Sequence, residues 1–240
     1  MCEILAVAFP TPQPFAHVRR GALALERLGI AGFGWGVAWV RHGEIAGHRD
    51  PGRLEDDRPR GGLDQVHSNR FLVHRRRPSQ LTTVGLADSQ PFVDAPGSLA
   101  FAHNGRFDLA DQMRPLVAGQ LAGKADSEVG FRLFERLRGE PVAAATALAE
   151  THRRLGGSAN LACLAGDGDL LVYAGNPGNA LWQFRLEDAT VASTALHSAD
   201  AALISRCLPA ARAASRVGQG TARVVPPGIC PPVGSTDARR

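Results

Sequence analysis

The sequence predicts an α+β domain in which sheets pack on one another and helices lie outside them. Three observations carry this. Short apolar runs with strand-like character fall into two groups along the chain, with helix-like periodicity between and after them. Because the helical patterns do not separate each strand from the next, an alternating βαβ wind is not expected. The 240 residues, 44% hydrophobic and 21% charged, suffice to bury one sizeable core.

Taken in order, Cys2–Phe9 reads as a buried strand. Pro14 opens a helix to Leu28, with Phe15, Val18, Ala22, Leu25 and Leu28 near helical spacing, and Gly29–Gly32 ends it. In Gly34–Val40, Trp35, Val37 and Trp39 alternate with Gly34, Gly36 and Ala38. One face is bulky and the other bare, so another layer can approach the bare face closely. A turn at Arg41–Glu44 leads back into a strand at Ile45–His48, and Arg49–Gly62 is a polar loop. Further strands are expected at Phe71–His74, Thr82–Leu86 and Ser98–His103. Helices are expected at Asp108–Ala118, at Ser127–Arg138 with Asp126 as its cap, and at Pro141–Leu155 with proline first. The second group of strands is Asn160–Ala165, Leu170–Tyr173, Ala180–Phe184 and Thr190–Ser193. A last helix, Ala199–Ala214, precedes the Pro-rich Pro226–Pro232. This gives one domain over residues 1–234 and a flexible tail over 235–240.

Composition excludes several classes of function. The longest apolar runs, such as Ile4–Phe9, are too short to span a bilayer, and no signal-peptide pattern opens the chain. Four scattered cysteines form no CxxC pair and no zinc-type spacing, so a reducing, cytoplasmic setting and no metal are expected. The net charge of +4 invites a nucleic-acid reading. Against it, Lys124 is the only lysine among 27 basic residues, a bias of the kind a GC-rich genome produces. The one dense basic run, Arg75–Arg77, has no interleaved aromatics to stack on bases, and no nucleic-acid partner is expected.

Four short segments carry chemistry. Cys2 is either a small buried residue at a strand start or a nucleophile. If Met1 is removed, a thiol of pKa roughly 8.5 and an α-amine of pKa roughly 7.7–8.0 share one residue, so nucleophile and base coincide. His103-Asn104-Gly105 is either a turn or an oxyanion hole, with the Asn104 amide and the Gly105 N–H as donors. His74-Arg75-Arg76 is a solvated basic edge or a guanidinium fork for a carboxylate. Asp126-Ser127-Glu128 is a helix cap, or a carboxylate for a substrate ammonium. Together the four match hydrolysis of an α-amino-acid side-chain amide, and glutamine fits.

In content and order these segments resemble the class II glutamine amidotransferases of the N-terminal nucleophile hydrolase superfamily. The likeness rests on Met1-Cys2-Glu3-Ile4, Gly34-Trp35-Gly36-Val37-Ala38, Phe71–Ser79, Ser89-Gln90-Pro91-Phe92 with Ala102-His103-Asn104-Gly105, and Ala125-Asp126-Ser127-Glu128. It thins beyond residue 155. The resemblance implies a four-layer α/β/β/α sandwich with Cys2 at the start of a central strand. It implies Cys2 as nucleophile, Asn104 and Gly105 as oxyanion hole, Arg76 on the α-carboxylate, Asp126 on the α-ammonium and Ser79 in the same pocket. No cofactor is implied. Ammonia would pass to a separate synthase subunit; alternatively the protein hydrolyses a γ-glutamyl compound, or is a non-catalytic regulatory module on the same fold. The intact set of site residues argues against the last. Phe33, Arg75, Arg77 and Pro78 depart from the family pattern and bear on the acceptor side and on fine specificity.

Overall fold

The computed structural model describes residues 2–26, 32–57, 62–78, 81–194, 198 and 200–229. Ser79 and the expected tail at 235–240 lie outside the described residues. The strands are β1 (Glu3–Pro14), β2 (Trp35–Arg41), β3 (Glu44–Asp50), β4 (His67–Arg75), β5 (Phe92–Val93) and β6 (Leu99–Arg106). They continue as β7 (Ser158–Ala165), β8 (Leu170–Gly175), β9 (Trp182–Leu186), β10 (Ala189–Ser193), β11 (Ala211–Arg216) and β12 (Thr221–Val224). The helices are α1 (Phe15–Glu26), α2 (Ala110–Met113), α3 (Asp126–Arg138), α4 (Ala144–Leu155) and α5 (Ala201–Cys207). None of them is long and apolar enough to cross a membrane.

Two antiparallel sheets stack face to face, one ordered β11-β9-β10-β1-β4-β2-β3 and the other β12-β8-β7-β6-β5. Period-2 alternation divides the core into three slabs. Leu5, Val7 and Phe9 of β1 join Trp35, Val37 and Trp39 of β2 beneath α1. Ile4, Ala6 and Ala8 point the other way, into the space between the sheets, with Ala38, Ala100, Ala102, Ala162 and Ala192. Alanine there lets the sheets close on each other. On the far side α3 and α4 cover the five-stranded sheet, where Phe134 stacks on Phe101 at 5.3 Å. The result is a four-layer α/β/β/α sandwich, the architecture that the resemblance in sequence implies. The bare face of β2 is approached as its composition implies: a Cβ on Gly36 would come within 2.5 Å of the Gln90 carbonyl.

Several expected elements differ. Thr82–Leu86 is not a strand but holds a 3-10 turn, Leu81–Thr83, whose last residue is taken up by Arg76. The helix expected at Asp108–Ala118 is α only over Ala110–Met113 and continues as a 3-10 helix, Arg114–Gln120. Pro115 has no N–H for an α-type bond there. Helix α3 starts one residue earlier than expected, so Ala125 is its cap and Asp126 its first residue. Helix α4 starts after Pro141, at Ala144. The last helix stops at Cys207, since Leu208 precedes a proline and is held out of the helical region. The chain then adds β11 to β9 and β12 to β8. Those edge strands, and the two-residue β5, carry too little alternation to be read from sequence.

Two polar links tie the layers together. The side chains of Glu3 and Arg75 are buried and form an ion pair at 2.5 Å, and Arg75 also donates to the Ala22 carbonyl of α1. Between the sheets, His74 Nε2 lies 3.1 Å from the His103 carbonyl, while the Gln90 Oε1 accepts the His103 N–H at 2.7 Å. Burial, helped by the charge on Arg76, holds His74 down to about 3; burial holds His103 down to about 4.

Glu3→Gln strips Arg75 of its buried carboxylate and is expected to cost about 3–5 kcal/mol in denaturant melts. A second expectation concerns acid. Unfolded histidine titrates near 6.5, so the unfolded chain binds more protons wherever these two remain neutral in the fold. Their contribution is full above pH about 6.5. It is lost as pH falls, down to about 4 for His103 and about 3 for His74. Melts between pH 7 and 4 should show a pH slope that His74→Gln makes shallower by up to about 1.4 kcal/mol per pH unit.

Candidate active site

One polar cleft of about 490 Å³ opens where β1 and β4 of one sheet meet β6, β7 and β8 of the other. Cys2 lines it, immediately before β1, with the Arg77 N–H directed at Sγ from 3.4 Å and the Arg77 carbonyl 3.6 Å away. Burial pushes the Cys2 thiol up, against the opposing pull of the Arg77 N–H and the Arg76 charge. The resting group is therefore a thiol, and attack by sulfur requires a base within reach.

Antiparallel register places Glu3 opposite Arg75, so Arg76 and Arg77 fall beside Cys2. The strand ends at Arg75, and there the arginines separate. Arg75 turns away beneath α1, whereas Arg76 and Arg77 line the cleft. The buried Arg76 fork donates to the Thr83 carbonyl and, at 2.8 Å, to its hydroxyl. Burial lowers the Arg76 pKa, and the nearby Cys2, Asp88 and Asp126 oppose that shift.

Asp126 faces the cleft from the first turn of α3. Its Oδ2 accepts the Phe107 N–H at 2.8 Å and its Oδ1 the Ser127 N–H at 2.9 Å, which fixes the carboxylate. Two buried carboxylates set the loop before it. Asp88 Oδ1 accepts the N–H groups of Lys124 and Ala125, each at 2.7 Å, and Glu128 accepts those of Ala122 and Gly123 at 2.9 and 2.7 Å. Behind Asp126, Ser127 Oγ lies 2.9 Å from His103 Nδ1, and the His103 ring stacks on Phe107 at 4.0 Å.

Gly105 lines the cleft at φ +147, and a Cβ there would lie 1.7 Å from the Ser158 carbonyl, so only glycine fits. Asn104 is fully buried. Its Nδ2 donates to Thr194 Oγ1 at 2.8 Å, and its Oδ1 is buried without a hydrogen-bond partner. The structure thus brings Cys2, Arg76, Gly105 and Asp126 to one cleft, sets Asn104 behind its wall, and leaves Ser79 outside the described residues. Thr83, Asp88, Thr194 and Asn176, a further cleft residue, escaped the sequence reading. Asp88 adjoins the Ser89-Gln90-Pro91-Phe92 segment, which was the one available signal.

The described residues also hold a cluster outside the cleft, His48, Asp50 and Asp57, whose ligand atoms lie within 4.8 Å of one another. All three are partly exposed, and none lines the cleft.

Known structures share this fold. The solved structures it resembles include a glutamine phosphoribosylpyrophosphate amidotransferase from B. subtilis, at TM-score 0.68 and 19% identity over 94% of this chain and 46% of that one. This chain therefore spans less than half of that protein. A glutamine aminotransferase class-II domain protein from Silicibacter pomeroyi aligns at TM-score 0.55 and 21% identity, over 80% of this chain and 88% of that one. A protein described as a predicted glutamine amidotransferase from Pseudomonas aeruginosa aligns at 0.52 and 18%, over 93% and 97%. At such identities the likeness shows the fold. No protein of curated function matches the chain. The model of the family described as glutamine amidotransferases class-II matches residues 1–203. By that match, which covers most of its length, the chain belongs to the class II glutamine amidotransferases.

Proposed function

We infer that the chain cleaves the side-chain amide of glutamine, or of a γ-glutamyl compound, with Cys2 as nucleophile once Met1 has been removed. The observation that carries this reading is the convergence of a thiol, a guanidinium and a fixed carboxylate, Cys2, Arg76 and Asp126, on one cleft. A free amino acid presents a carboxylate and an ammonium on one carbon, and Arg76 and Asp126 offer the complementary charges. Their grip places the far end of the side chain over Cys2.

In this mechanism the freed α-amine of Cys2 takes the thiol proton as sulfur adds to the amide carbon. The Gly105 N–H stabilises the oxyanion, and Asn104 joins it when its amide turns end for end. The Thr194 hydroxyl then donates to Oδ1 and Nδ2 becomes available, an exchange that keeps the bond to Thr194. Each such donor contributes on the order of 3 kcal/mol to lowering the barrier. The C–N bond breaks as the amine returns the proton to departing ammonia, leaving a thioester that water opens to glutamate. No step draws on a metal or an organic cofactor. The released ammonia is passed to a separate synthase subunit, or lost if the physiological substrate is another γ-glutamyl amide. Cys2, Cys163 and Cys207 are free thiols, which suits a reducing compartment such as the cytoplasm.

Intact mass before and after treatment with a glutamine-analogue diazo-ketone tests the reading. Loss of Met1 and one adduct, abolished by Cys2→Ala, is the expected result; a retained Met1 with no adduct overturns it. Arg76→Lys keeps the charge but loses the planar fork held by Thr83. It is expected to lower kcat/KM for glutamine by about 10–100-fold, mainly through KM, as measured by glutamate release.

A further inference from the structure

Asn176 has no part in the mechanism above, yet it lines the same cleft and is only 4% exposed. Its side chain is locked. Oδ1 accepts the Gly178 N–H at 3.0 Å, which determines which end of the amide is which. Its backbone N–H donates to Asn160 Oδ1 at 3.2 Å, its carbonyl accepts the Asn179 N–H at 3.2 Å, and Asn160 Nδ2 donates to the Asn179 carbonyl at 2.7 Å. Through all of this Nδ2 remains buried without a partner. A rigidly held, desolvated N–H group at the wall of a cleft calls for an acceptor that arrives with a ligand.

The order of strands says which part of a ligand that is. Gly105 pairs with Ala159, and Ala159 with Gly175, so Asn176 follows a strand end two spacings from Gly105, about 10 Å across the sheet. The sheets stack with β1 against β6 and β8, and with β4 against β6 and β7. Asn176 thus lies towards the β1 side of the cleft, away from the end of β4 that carries Arg76. A γ-glutamyl group gripped at its α-carbon by Arg76 and Asp126, with its amide carbon at Cys2, would direct whatever lies beyond the scissile bond towards Ser158 and Asn176. Ammonia from glutamine offers Nδ2 nothing to bind. An amine that carries a carboxylate does; the exposed Arg106, also on the cleft, is paired with Asp108 at 3.8 Å, which leaves Asn176 as the donor that sets this subsite.

We propose that Asn176 forms a leaving-group subsite whose Nδ2 binds a carboxylate or carbonyl oxygen on the departing amine, so that the preferred substrate is a γ-glutamyl amide of an amino acid. This rests on the amide-cleaving reading of Cys2. The chemistry is unchanged: sulfur bonds to the γ-glutamyl carbon, the C–N bond breaks, and the amino acid leaves as its amine with the proton that the Cys2 α-amine held. Water then opens the thioester.

The test compares glutamate release from γ-glutamylglycine and γ-glutamylethylamide, which differ at the leaving group by the carboxylate, with glutamine as a third substrate. Wild type is expected to favour γ-glutamylglycine over the ethylamide by at least tenfold in kcat/KM. Asn176→Leu, which keeps the size and removes the donor, should collapse that ratio towards one. Asn176→Asp, which keeps the acceptor for Gly178 and repels a carboxylate, should do the same, and it serves if the leucine variant does not fold. A wild-type ratio near one, or a ratio retained in a folded variant, overturns the subsite while leaving the Cys2 reading in place. Failure to cleave all three substrates, with no diazo-ketone adduct, overturns both.

Discussion

The cleft depends on the buried ion pair between Glu3 and Arg75. Taking both charges out of water costs several kcal/mol per ion, and their attraction only offsets that cost when the geometry is good. Such a pair acts more on register than on net stability. Glu3 and Arg75 face each other across β1 and β4, and a slip of one residue would leave two charges in an apolar slab and turn every alternate side chain over. With the register held, Cys2 comes beside Arg76 and Arg77, and past the end of the strand Arg76 turns to the cleft as Arg75 goes beneath α1. The ordinary tendency of an end segment to fray is opposed at the point where the Cys2 sulfur stands.

On the opposite wall the organising groups are again carboxylates, used differently. Asp88 and Glu128 each accept two backbone N–H groups from residues 122–125. That loop would otherwise carry buried donors without partners into the first turn of α3. Gly123 is where the loop passes closest, since a Cβ would come 2.4 Å from Asp88 Oδ1. Asp126 inherits this order, and its two bonds to backbone N–H groups leave the carboxylate aimed and immobile. Arg76 reaches the same state through Thr83. Preorganisation of both charges spares the entropy of ordering them around a ligand.

What was legible in the sequence was local. Alternation in β2 announces its two faces, and the motifs around Cys2, Arg76, Gly105 and Asp126 could be read because each candidate residue sits in a short, compositionally distinct stretch. The strand was expected to end at His74, one residue short of Arg75, so the parting of Arg75 from Arg76 was not legible. What was not legible depends on distant partners. Thr83 was expected in a strand, and nothing nearby in sequence shows that Arg76 claims it. Asn104 was read as a free amide donor, whereas Thr194, ninety residues on, holds it. Asn176 follows a strand with no motif around it, and only the asparagine network and the closeness of the cleft single it out. The ends of α2 and α5 were misjudged because prolines at 115 and 209 act on hydrogen bonds that helical periodicity does not register.

The strand order has a consequence in time. β1 lies between β4 and β10, and the Ile4 N–H bonds to Thr194, 190 residues away in the chain. During synthesis β1 leaves the ribosome well before its second neighbour exists, an interval of roughly 10–40 s at ordinary translation rates of about 5–20 residues per second. Throughout that interval the segment bearing Cys2 has no completed sheet to enter. Until then one edge of β1 stays unpaired. Only with the emergence of residues 189–194 does the strand that follows Cys2 gain its second neighbour, paired along Leu5–Ala8.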